Sequence, residues 1–282
     1  MKKIALLCTL TLLGSGAYAT TKIPQAYSVV DGNAVIDQGA YHDMMKIKSD
    51  GDIKPASIRD KAVKDEAMRL GIQYGYAKEL GRLQKVVLEN TKFLDQTFNF
   101  KALMSYANQN APAINILPPV ILRTNDYVTS DGSGQRISIS NEYYQLYSNA
   151  RIVTVAPTWR NYLVKSIPQP SEPSKYLLPR NTIESSEWAK GFAYGWDLGL
   201  KQADTELEFR VQTLSRDYLG MQQYLILWKK HKVSSAFVAY NRQNITGNAN
   251  EMSVNNQVYQ ISTPAKLNLN TKDWKFGEQK SL

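Results

Sequence analysis

Cysteine is almost absent from this chain: one, Cys8, in 282 residues. A disulfide framework, a cysteine-rich zinc site and an iron–sulfur cluster are therefore excluded within a single chain. Histidine is nearly as scarce. His42 and His231 are the only two, and neither has a second histidine or a cysteine at ligand spacing. Both read as surface side chains, and no metal or other cofactor is expected. The nucleophile and zinc signatures G-x-S-x-G, S-x-x-K and H-E-x-x-H do not occur. No run after residue 20 approaches the roughly eighteen apolar residues of a membrane-spanning helix.

What is present supports a folded, basic protein. Hydrophobic residues make up 43% and charged ones 21%, enough apolar side chain for a packed core. Lys and Arg number 34 against 25 Asp and Glu, a net +9. Lys2 and Lys3 belong to a segment expected to be removed, which leaves +7. Spread along the sequence, that excess favours acidic partners or anionic surfaces in general and is too diffuse to point to nucleic acid.

The first nineteen residues read as an export signal. Lys2 and Lys3 form a positive start, and Ile4 to Leu13 an apolar stretch too short to span a bilayer. Ala17-Tyr18-Ala19 then offers a small-x-small cleavage site with Thr20 as the new N-terminus. Cys8 does not suit lipidation. Ala5-Leu6-Leu7 puts no small residue beside it, and only four apolar residues separate it from the lysines. It reads as an apolar residue lost on cleavage.

The expected organisation is a signal peptide (1–19), an extended arm (20–55), one α+β core domain (56–276) and a tail (277–282). Apolar residues recur at Val63, Ala67, Leu70, Tyr74, Ala77, Leu80, Leu83 and Val87, which predicts a helix over about 58–90. Ser57 with Asp60 three residues later marks its start. Residues 112–165 change character. Val120–Leu122, Arg136–Ser140 and Arg151–Val155 read as short strands, with Ser130-Asp131-Gly132-Ser133-Gly134 as a turn. Four prolines, at 168, 170, 173 and 179, mark a stiff connector over 167–180 that leaves two subdomains possible.

Asn181 with Glu184 three residues on signals another helix. Trp188, Phe192, Trp196 and Leu200 share one face. Leu207, Val211, Leu214, Tyr218, Met221, Leu225 and Trp228 then make a heptad stripe. The spacing fits one helix of about fifty residues, roughly 75 Å long, or two broken near Gly220. Lys229-Lys230-His231-Lys232 closes it. Strands resume at Phe237, with a turn over Asn244–Asn250 and a strand at Val258–Ile261.

A weak internal repeat links the two long helices. Gly71-Ile72-Gln73-Tyr74-Gly75-Tyr76 parallels Gly191-Phe192-Ala193-Tyr194-Gly195-Trp196, with Gly199 one turn further on. Each glycine costs about 1 kcal/mol of helix propensity against alanine. Close packing of the two helices through these bare strips would offset that. The alternative is that the glycines face a ligand or another subunit. Carboxylates offer one enzymatic option: Glu184 with Glu187, or Glu206 with Glu208, as the acids of a peptidoglycan hydrolase. On a helix, 206 and 208 point to different faces. A periplasmic binding protein is the other alternative, but repeated βαβ units are missing. Tyr127, Tyr143, Tyr144, Tyr147 and Tyr162 fit a half-buried sheet first, an interface second and a sugar surface third.

Several segments together resemble the DotC/TraI family of type IVB secretion and conjugation systems. They are Leu117-Pro118-Pro119-Val120-Ile121, Pro157-Thr158-Trp159-Arg160-Asn161-Tyr162-Leu163, Gly195-Trp196 with Gly199 and Gln202-Ala203, Arg216-Asp217 with Gly220-Met221, and Val258-Tyr259-Gln260-Ile261. The resemblance implies a non-enzymatic periplasmic subunit at the inner face of the outer membrane. It also implies a homo-oligomeric ring-shaped core complex shared with a DotD-like lipoprotein and a DotH-like subunit, which exports effector proteins or conjugative DNA. No catalytic residues come with it, and no direct nucleic-acid contact is expected. Members of the family are typically lipoproteins with a cysteine at the cleavage site. Here Ala19 and Thr20 stand there, so membrane attachment is expected through partner subunits.

Overall fold

A computed structural model describes residues 27–30, 33–36, 39–48, 57–107 and 114–275. The cleavage-site residues Ala17, Ala19 and Thr20 and the tail 277–282 lie outside the described residues. The fold is α+β, and the chain divides into two compact units. The first comprises residues up to Gly81 and Ser166–Ala203, and the second Arg82–Lys165 and Asp204–Leu282. The boundaries fall inside the two long helices and beside the proline connector.

The first unit opens with β1 (Tyr27–Val30) and β2 (Asn33–Ile36), an antiparallel hairpin, followed by helix α1 (Ala40–Met45). Within the extended arm expected over 20–55, the described residues form these elements. Distant partners hold them. Ala34 N donates to Ile167 O, Ile167 N donates to Asn33 Oδ1 at 2.8 Å, and Trp188 Nε1 donates to Met44 O at 2.6 Å. Ile36, Ala40, Met44 and Ile47 then enter the core.

Helix α2 (Ser57–Glu89) supplies Val63, Ala67, Leu70, Tyr74 and Ala77 to that core, the face its 3.6-residue spacing predicts. Helix α6 (Thr182–Lys229) adds Trp188 and Phe192. Its first turn is capped in part as expected, since Glu184 N donates to Asn181 Oδ1 at 2.8 Å. The connector lies along α2. Ser171 N and Oγ both reach Gln73 Oε1 at 2.8 Å, and Ser174 N reaches Glu66 Oε1 at 3.1 Å.

In the second unit α3 (Thr91–Thr97) and α4 (Phe100–Ala107) precede two small sheets. Strand β3 (Asn115–Leu117) pairs with β6 (Arg151–Val153). Strand β4 (Val120–Ser130) pairs with β5 (Ile137–Ser148) as a long antiparallel ribbon. The expected turn closes it. Gly132 and Gly134 sit at φ 77° and 73°, and Asp131 Oδ1 accepts from Ser133 N and Oγ. Helix α5 (Trp159–Leu163) follows.

Helix α6 runs unbroken through Gly220, about 72 Å over its 48 residues. That glycine makes room instead of a break. A Cβ there would meet the Val120 side chain and stand 3.3 Å from Ile121 N, so it admits the first residues of β4. Leu214, Met221 and Leu225 of the heptad stripe are buried, and Val211 faces solvent. Strands β7 (Phe237–Gly247) and β8 (Met252–Thr263) form a second ribbon. Its turn is tighter than the expected Asn244–Asn250, because Ile245, Thr246 and Gly247 pair with Val254, Ser253 and Met252.

Candidate functional site

In the first unit the five glycines singled out in the sequence lie together. The Phe192 carbonyl occupies the space where a Gly71 Cβ would stand, and the Trp196 carbonyl does the same at Gly75. On the other side the carbonyls of Lys64, Met68 and Ile72 fill the corresponding places at Gly191, Gly195 and Gly199. The pairs Lys64–Gly191, Met68–Gly195 and Ile72–Gly199 ascend together, so the two helices run parallel at this crossing. Backbone packs on backbone, and each glycine Cα–H faces a carbonyl oxygen. The propensity lost to glycine is returned as close contact over more than two turns.

A buried ion pair stands near the start of α6. Glu184 is 1% exposed, and its Oε1 accepts from Arg59 Nε at 2.9 Å. Its Oε2 accepts from Arg180 N at 2.8 Å. Arg59 also donates to the carbonyls of Tyr176 and Leu178, at 2.9 and 3.2 Å. Glu184 thus fastens the connector and the helix start together.

The other carboxylates considered as acids are similarly engaged. Glu187 pairs with Lys190 at 2.7 Å and Lys64 at 3.3 Å, and these two cations hold its carboxyl below the usual range. A hydrolase acid needs the opposite shift. Glu206 pairs with Lys165 and Arg210 at 3.0 and 2.8 Å, and Glu208 accepts from Gln212 at 3.2 Å. His42 lies edge-on to Tyr41, and among the described residues no acidic, histidine or cysteine cluster has metal-site geometry.

One further pair makes stability depend on pH. Arg69 Nε and Nη2 grip the two oxygens of Glu66, each at 2.8 Å, and hold its carboxyl below the ordinary value of 4.5. A lowered folded-state pKa stabilises the fold above the unfolded value, and that contribution is lost as pH falls through the folded value. The stability gap between wild type and Glu66→Gln is therefore expected to hold at neutral pH and to close as pH drops below about 4.5. Urea titrations of both proteins at neutral and acid pH check it.

In the second unit the segment Pro157–Leu163 becomes a fastening point. Thr158 N donates to Asn161 Oδ1 at 2.8 Å, which starts α5. Fully buried Trp159 donates from Nε1 to Asp95 Oδ1 at 2.6 Å, and Arg160 reaches the same oxygen at 3.0 Å. Tyr162 stacks on Phe100 and donates to Asp217 Oδ2 at 3.2 Å. Burial, with Asp217 adding to it, pushes the Tyr162 phenol up to about 12. Arg216 grips Asp217 through Nε and Nη2 and lies over the Tyr147 ring. These residues hold α3, α4, α5, α6 and β5 together.

Two surfaces of this unit stand out. The ribbons β4–β5 and β7–β8 are each two strands wide, and among the described residues they pair with no other strand. Their outer halves carry matched apolar pairs. Val128 faces Ile139 and Ile245 faces Val254, with Ile137 and Met252 two positions nearer each turn, and all six are exposed. From Gln243 to Thr263 the only charge is Glu251. Tyr127 stacks on Tyr143, and Tyr240 lies beside Tyr259.

The second surface is a cleft of about 830 Å3 among the end of α6 and the loops around 231–235 and 266–273. Trp228, Val233 and Leu267 contribute apolar walls, and Lys229 and Lys266 cationic ones, with His231 beside them. Here folding concentrates a charge that looks diffuse in sequence. Lys275 N bonds to Lys230 O, Asn268 N to Lys232 O and Ser234 N to Lys266 O, all at 2.9 Å. These bonds bring segments 229–232 and 266–275 together, six lysines with a single acid, Asp273. Sequence reading missed this patch because its halves are more than thirty residues apart.

These features define an α+β protein whose distinctive surfaces are two ribbons with exposed apolar pairs, the second nearly free of charge, and a lysine-rich cleft. The chain belongs to the family of type IV secretory system proteins of conjugal DNA–protein transfer, whose family model matches residues 57–276. It is thus a component of a type IV secretion system. No curated protein is similar enough to count as a relative. Among the described residues no helix is long and apolar enough to cross a membrane.

Proposed function

We propose that this chain is a non-enzymatic structural subunit of the outer-membrane-associated core complex of a type IVB secretion or conjugation system. Cleavage between Ala19 and Thr20 would release it into the periplasm. There it assembles with DotD-like and DotH-like subunits, and with further copies of itself, into a ring that exports effector proteins or DNA. The glycine crossing of α2 and α6 serves as rigid framework in this reading.

The ribbons carry the proposal. An isolated two-stranded ribbon is marginal in water. Exposed edges in a monomer are usually guarded by lysine, proline or inward charge. The stretch 243–263 has one charge and presents Ile245, Met252 and Val254 at 68%, 71% and 61% exposure. Such a surface suits cover by neighbouring subunits in an assembly.

Affinity purification of the tagged protein from cells carrying the whole system tests the assignment. A megadalton ring containing the other core subunits is expected. Recovery as a free periplasmic monomer would overturn it. Changing Ile245 and Val254 together to Asn is expected to leave the chain folded, since both side chains are already in water, while removing it from the ring. The mass of the mature N-terminus checks cleavage before Thr20, and a zymogram that shows clearing would restore the peptidoglycan hydrolase.

A further inference from the structure

We propose that the lysine-rich cleft at the end of α6 is a docking site for an anionic phospholipid surface. The inference rests on the proposed location beside the outer membrane and adds a direct membrane contact made by this chain itself. Of the mature chain's +7, segments 229–232 and 266–275 supply +5. The one acid there does not cancel them. Asp273 Oδ2 is taken up by the side-chain amides of Asn268 and Asn270, at 3.2 and 3.0 Å. Lys266 and Lys272 make no ion pair among the described residues.

Apolar exposure separates a lipid surface from other anions. Leu269, between Lys266 and Lys272 in sequence, is 88% exposed. Phe237, two residues beyond cleft-lining Ser235, is 65% exposed. An exposed leucine flanked in sequence by lysines matches a headgroup layer with acyl chains beneath it. A nucleic acid would look for a free aromatic face to stack on, which Phe237 beside the cleft offers but the loop itself does not. The aromatic residue on this loop, Trp274, is occupied: Lys232 Nζ sits 4.4 Å above its ring, and its Nε1 donates to Asn268 O at 2.9 Å. A basic patch with one inserted side chain is a route to an anionic membrane that needs no acyl chain.

The mature chain should be sedimented with phosphatidylcholine vesicles, with and without phosphatidylglycerol. Binding is expected only with phosphatidylglycerol and should weaken steeply with added salt. Each lysine near such a surface contributes about fivefold in partitioning, so Lys266→Gln with Lys272→Gln should lower binding roughly 25-fold. Leu269→Asn should lower it with the salt dependence unchanged. Equal binding to both vesicles, or to neither, overturns the proposal. So does tighter binding to duplex DNA or polyglutamate, which would reassign the cleft to nucleic acid or to an acidic protein segment. Incorporation of the Lys266→Gln, Lys272→Gln protein into the ring is scored separately. Failure of ring assembly in the wild type would sink the structural-subunit assignment and leave the vesicle result standing.

Discussion

Replacing Gly195 by leucine is expected to cost about 4 kcal/mol of stability, near the upper limit for overpacking. A Cβ there would stand 2.8 Å from Met68 C and 2.9 Å from Met68 Cα. Both are backbone atoms of a helix and cannot rotate aside. α2 and α6 would have to separate along the strip, and Trp188, Phe192 and Leu70 would lose contact together. Even Gly195→Ala, which gains about 1 kcal/mol in helix propensity, should lose about 2 kcal/mol net. Gly81→Ala is the control. Its nearest neighbour would be Ile167 Cδ1 at an ordinary 3.4 Å, so the propensity gain should survive. Urea unfolding followed by tryptophan fluorescence reads both. A Gly195→Ala protein more stable than wild type would mean that the helices do not meet there.

The same crossing shows what the sequence makes legible. Glycine at spacing four on two amphipathic helices is a local pattern, and the parallel alignment that joins them is not. Nothing in either segment tells whether Lys64 faces Gly191 or Gly199. The 3.6-residue face of α2 and the Ser130–Gly134 turn were readable for the same reason, since each is set by residues within one or two turns of chain. The elements at 27–30, 33–36 and 40–45 were not. The strands are four residues long, shorter than their sequence can specify, and they depend on Ile167 and Trp188. The turn of the second ribbon starts later than expected because Thr246 looks like a loop residue, whereas pairing of Ile245, Thr246 and Gly247 with Val254, Ser253 and Met252 extends the ladder past it. The basic cleft is a product of tertiary contact alone, assembled by main-chain bonds between two lysine segments that are unremarkable separately.

Glu184→Ala is the second change expected to be severe, at about 3 kcal/mol. Removing one partner of a buried ion pair costs roughly 3–5 kcal/mol, because the other charge is left in a poor environment. Here two details pull in opposite directions. Arg59 is 22% exposed and keeps its bonds to the Tyr176 and Leu178 carbonyls, so part of the loss is recovered from solvent. Glu184 also accepts from Arg180 N, so alanine strands a backbone donor as well. Glu184→Gln keeps an acceptor for that donor and should cost about half as much. Arg59→Met alone should be costly, since it leaves a carboxylate 1% exposed without its cation. Combining Arg59→Met with Glu184→Leu should restore much of the loss, because neither charge then remains to be solvated. A double-mutant cycle by urea unfolding measures the coupling. Additive losses would show that the two side chains act independently and that the connector is held by its other bonds to α2.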